Sequence, residues 1–161
     1  MRLRILVVMT FLVWAGCQAE AQAQSQGAQG ITTVIISGRC QLALVNSKPV
    51  RCGPNTRLVY DALPNGIVMI NVALADGRIL AFVGDHDRQP RPEEYWLHLT
   101  RVRMGTSGQS LTTDVAATCK MFQTTDASVV HSVKCEATDL SGSHIALDFR
   151  GNGSRVDVSQ R

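Results

Sequence analysis

The sequence has no Cys-x-x-Cys pair, no Gly-x-Ser-x-Gly elbow, no Gly-rich phosphate loop ending in Lys-Ser or Lys-Thr, and no His-Glu-x-x-His. The spacing signatures of thiolate zinc sites, serine hydrolases, nucleotide binders and zinc proteases are therefore missing. Gly151-Asn-Gly153 opens a dinucleotide fingerprint, but Val156 stands where the third glycine belongs, so the stretch reads as a turn. No cofactor is expected. An excess of one charge is also lacking: removing Arg2, Arg4 and Glu20 with the first 23 residues takes 16 basic and 13 acidic side chains to 14 and 12. A balance near +2, spread along the chain, argues against nucleic acid and against an anionic membrane surface as partners.

A long apolar run is missing too. The run from Ile5 to Ala15, interrupted only by Thr10, falls short of the ~20 residues that a spanning helix needs. Placed behind Arg2 and Arg4, it has the order of a signal peptide. Ala21-Gln22-Ala23 supplies a small-residue cleavage site, so residues 1–23 are expected to be removed and 24–30, rich in Gln, Gly, Ser and Ala, to form a flexible leader. An alternative is lipoprotein processing at Ala15-Gly16-Cys17, although Trp14 occupies the position where such boxes carry leucine. Membrane contact is expected only if Cys17 is lipidated. The protein is thus expected to be periplasmic or secreted.

What the chain does contain is an even set of cysteines. Five are present, and setting Cys17 aside leaves Cys40, Cys52, Cys119 and Cys135. Four cysteines in an exported domain read as two disulfides. Cys40-Gln-Leu leading to Val50-Arg-Cys52 is echoed by Cys119-Lys-Met leading to Val133-Lys-Cys135, which favours the local pairings 40–52 and 119–135. Loops of this length contribute about 3 kcal/mol each in the chain-entropy picture.

From Ile31 onward the pattern is alternation punctuated by turns. Cys40, Leu42 and Leu44 share one face; Val115, Ala117, Cys119 and Met121 share another; Ile145, Leu147 and Phe149 a third. Pro64-Asn65-Gly66 and Asp76-Gly77 predict tight turns within a meander over 57–63, 67–74 and 78–83. The expected fold is all-β: a small antiparallel barrel or sandwich of about nine short strands braced by two disulfides, filling residues 31–158 as a single domain with 159–161 as a tail. A barrel is preferred, because an immunoglobulin-type sandwich would want a tryptophan soon after its first cysteine and a tyrosine where Ala117 stands.

Three groups of residues are candidates for function. Asp85, His86 and Asp87 form the densest run of metal-binding or acid–base side chains, at the start of a Pro-rich loop through Pro92. His131 alternates with Val129 and Val133 and is expected to point inward as a partly buried, hydrogen-bonded histidine. The third group comes from Tyr95 to Met104. Simple alternation would drive Arg101 and Arg103 into the core, which is too costly for unpaired charges. A bulge near Thr100 turns Val102 and Met104 inward instead and leaves Trp96, His98, Arg101 and Arg103 along the outer face. Aromatic and arginine side chains together suit a partner-binding surface. The expected function is a non-catalytic binding or interaction module whose partner is an envelope protein, a peptide or a glycan. The alternatives are a small secreted hydrolase or metal-dependent enzyme using Asp85, His86 and Asp87, and a protease-inhibitor-like domain presenting the loop from Gly84 to Pro92.

Overall fold

A computed structural model describes residues 30–106 and 109–161. The expected signal peptide, most of the leader and Cys17 lie outside the described residues. Among the described residues ten strands follow one another: β1 (Thr32–Val45), β2 (Lys48–Pro49), β3 (Arg57–Ala62), β4 (Val68–Ala73), β5 (Ile79–Arg91), β6 (Glu94–Thr106), β7 (Gln109–Gln123), β8 (Val130–Thr138), β9 (His144–Gly151) and β10 (Asp157–Gln160). From β3 to β9 each strand pairs antiparallel with the next, and β1 pairs with both β3 and β9. The result is an eight-stranded closed antiparallel barrel, with β2 and β10 as additional strands on β1. Closure leaves the eight barrel strands without a continuous free edge.

Alternation accounts for the core. Leu58, Ile70, Phe82, Leu97, Leu147 and Phe149 all point into the barrel and are essentially inaccessible to solvent. An eight-stranded barrel is just wide enough for such side chains to fill its waist. The meander follows the expected turns, with Gly66 and Gly77 at φ +79° and +82°. Both expected disulfides are present: Cys119 and Cys135 face each other across β7 and β8, and Cys40 ties β1 to Cys52, which bridges Leu74 at the end of β4.

Three expectations are corrected, the first two because an added residue in a strand changes the parity of side chains. A bulge between Cys40 and Leu42 turns Ala43 and Val45 inward, leaving Leu42 at 43 % exposure and Leu44 half-buried. A second irregularity near His131 pairs Gln123 with Val130 but Phe122 with Ser132, so Val130 and Val133 are core and His131 is exposed. The Pro-rich stretch after Gly84 is not a loop: β5 continues to Arg91 and pairs with β6 as a hairpin arm. Gly84 marks where that arm leaves the waist, since a Cβ there would collide with the His98 carbonyl and the Leu97 side chain. The last residues also join the sheet. β10 pairs with the start of β1, and Arg161 exchanges backbone hydrogen bonds with Ile31.

Candidate functional site

The β5–β6–β7 layer carries the residues singled out from sequence. A bulge at Thr100 separates the Leu99–Ala117 pair from the Arg101–Asp114 pair. Leu97, Leu99 and Val102 are buried, while His98 and Arg103 are exposed and Trp96 and Arg101 half-buried. Val83 and Ala81, directly opposite Arg101 and Arg103, are buried on that outer face, where arginine stems can shield apolar neighbours. Trp96 is held from three directions. The Arg88 guanidinium lies 4.1 Å from its ring centre and the Lys120 ammonium 4.6 Å, each from the neighbouring strand. Its Nε1–H donates to Glu94 Oε1 at 2.6 Å. Trp96 and His98 line a groove of about 390 Å³ with His86, Asp87, Arg88, Thr118 and Lys120. Arg101 and Arg103 lie further along β6, outside that groove.

The run from Asp85 to Asp87 divides between the two faces of the sheet. Asp85 occupies a bulge between Gly84 and His86, and its Oδ1 bonds His86 Nδ1 at 2.7 Å on the exposed outer side. That contact lowers the Asp85 pKa and raises that of His86. Asp87 pairs with the buried Leu97, which leans its side chain inward, but it is exposed and also lines the groove beside His86. Among the described residues no group of three His, Cys, Asp or Glu side chains converges as a metal site.

The inner face leads to a feature that the sequence reading missed. Above the packed waist, one end of the barrel opens into a cavity of about 440 Å³. Its floor and walls are mostly apolar: Val34, Ile36, Met121, Val130 and Val156, from β1, β7, β8 and the segment before β10. Tyr60 of β3 and Tyr95 of β6 reach toward each other across this mouth, hydroxyl to hydroxyl at 3.1 Å, with the rings edge to face. Burial raises the pKa of both phenols, and the nearby Asp87 charge raises them further, so both stay protonated. One hydroxyl donates to the other, and the Asp87 carboxylate is an acceptor beside Tyr95 for the second O–H. Gln123, Asp126, Ser128 and Arg155 form the polar rim. Hydrogen bonds from Thr124 and Ser128 hold the Asp126 carboxyl down to about pKa 2, and these also shape the β7–β8 turn.

Alternation does place Tyr60 and Tyr95 on inner faces, two residues from Leu58 and Leu97. What the sequence lacks is any sign that strands three apart in the barrel bring the two together. Comparison with protein-family models, with curated proteins and with solved structures finds no match.

Proposed function

We propose that this is an exported, non-catalytic binding module that takes a small ligand in the open end of its barrel. The observation that carries this reading is the 440 Å³ mouth, apolar along its walls, with the Tyr60–Tyr95 hydroxyl pair and Arg155 as its few polar groups of fixed position. Pockets that orient small molecules combine a mostly apolar lining with a few placed polar groups, and barrel mouths are a common place for them. Two disulfides suit an oxidising compartment and support export through residues 1–23.

The test uses N-phenyl-1-naphthylamine, an uncharged probe that fluoresces in apolar surroundings. The purified protein should bind it at one per chain. Val158→Trp, at an exposed position on the rim, should weaken binding about tenfold with an unchanged melting temperature. Absence of binding, or equal binding by the variant, would sink the proposal.

A second reading places a protein, peptide or glycan partner on the outer face at Trp96, His98, Arg101 and Arg103. The Arg88–Trp96–Lys120 stack favours it, as a preformed aromatic and cationic surface. Capture of a partner from an envelope extract that is lost in Trp96→Ala would support this reading, and capture unaffected by the change would remove it.

A further inference from the structure

The polar groups around the mouth differ in how far they are already used. Gln123 donates its amide to the Pro92 carbonyl at 3.2 Å. The Ser128 hydroxyl donates to Asp126 Oδ1, which also accepts from Thr124 Oγ1 and the Ser128 amide, so this oxygen is committed to its own turn. The Tyr60 and Tyr95 hydroxyls bond each other, and Asp87 stands beside them as a further acceptor. Arg155 stands apart. It is placed on the rim by its backbone bridge to Val129, and among the described residues its guanidinium makes no ion pair. A guanidinium offers five donors in a planar fork that matches a carboxylate.

Resting on the reading of the mouth as a ligand site, we propose that its ligand is an amphiphilic monocarboxylate, with the apolar body against Ile36, Met121, Val130 and Val156 and the carboxylate on Arg155. The walls ask for an apolar body, because their side chains gain from losing water. The head is assigned to the rim rather than the floor, since Asp87 acts on both tyrosines and repels an anion brought to them. Asp126 also borders the rim and favours the opposite charge in a ligand. Its three bonds tie one carboxylate oxygen to the turn, whereas the exposed Arg155 on the rim has no ion-pair partner among the described residues.

Three ten-carbon competitors that differ only in the head group separate the outcomes: decanoate, decan-1-ol and decylamine, each displacing N-phenyl-1-naphthylamine at pH 7. Decanoate should compete about tenfold better than decan-1-ol, the difference a charge-assisted bond supplies at a partly exposed rim. Arg155→Gln should bring decanoate down to the level of decan-1-ol without changing decan-1-ol itself, and Arg155→Lys should restore part of the preference. Equal competition by decanoate and decan-1-ol, or stronger competition by decylamine, would overturn the acidic head while leaving the mouth as a ligand site. Failure of all three compounds in a protein that does not bind the probe would overturn both.

Discussion

The hydroxyls of Tyr60 and Tyr95 lie 3.1 Å apart, although their strands are three positions apart around the barrel. That contact spans the mouth, so it links opposite walls at a level where no backbone ladder can. A net contribution near 1 kcal/mol is typical of such a bond. Tyr60→Phe and Tyr95→Phe should each destabilise the protein by about that amount, and the double variant should cost little more than either single change. Denaturant unfolding of the three variants measures this. Additive losses would mean that the hydroxyls act separately.

The two disulfides should matter unequally in kind. Cys119–Cys135 joins directly opposed residues of one hairpin, both buried. Cys40–Cys52 ties a bulged strand to the end of β4 through the segment that follows β2. Replacing either pair by alanine should cost about 3 kcal/mol from loop closure, with a further loss at 119 and 135 from the buried volume removed. Non-reducing peptide mapping fixes the pairing, and a 40–119 or 52–135 linkage would contradict the fold.

Strand existence, turn chemistry and cysteine pairing were all legible in the sequence, because each depends on neighbours in the chain. Asn65-Gly66 and Asp76-Gly77 specify their turns whatever surrounds them. Parity was legible only where an error would have been expensive. Two charges entering the core revealed the bulge at Thr100, whereas the bulge beside Gln41 left no such mark, since Leu42 and Ala43 are both apolar. His131 failed for the same reason, because a neutral histidine reads plausibly on either face. The mouth was illegible because its walls come from β1, β3, β6, β7 and β8, and their meeting is a property of closure.

The acidic limit of the β7–β8 turn follows from Asp126. Its pKa is lowered to about 2, chiefly by the Thr124 hydroxyl and then by the Ser128 amide and hydroxyl. A depressed carboxylate pKa stabilises the folded turn above the unfolded value, and that contribution disappears as the pH falls through the folded value. The Ser128 amide signal should therefore hold its position from neutral pH down to about pH 3 and move with a midpoint near 2. A midpoint near the ordinary aspartate value would show that these bonds do not persist in solution.

His86 carries the opposite sign. The Asp85 carboxylate raises its pKa above 6.5, so the folded protein favours the imidazolium. The pair's contribution is complete below the unfolded histidine pKa and lost as the pH rises through the folded one. Titration of the His86 ring by NMR should give a midpoint above that of the same ring in Asp85→Asn. Identical midpoints would mean that the Asp85–His86 contact is absent in solution.

Adjacent residues on β6 should respond to truncation according to the face they occupy. Leu97 points into the waist opposite Cys119 and is inaccessible to solvent. Leu97→Ala leaves a cavity and should cost about 2–5 kcal/mol. Trp96 points outward, yet it is not a free surface residue, since Arg88 and Lys120 sit against its ring and Glu94 accepts its N–H. Cation–π contacts at exposed sites are worth about 0.5–1 kcal/mol each, so Trp96→Ala should cost about 1–2 kcal/mol and leave the barrel folded. Arg103→Ala, exposed and opposite Ala81, should change stability by no more than about 0.5 kcal/mol. Chemical denaturation of the three variants gives the order directly. If Trp96→Ala costs as much as Leu97→Ala, the indole is part of the core and the outer-face reading falls with it. A cost for Trp96→Ala as small as that for Arg103→Ala would mean that the cationic stack does not hold the ring in place, and the outer face would lose its one preformed feature.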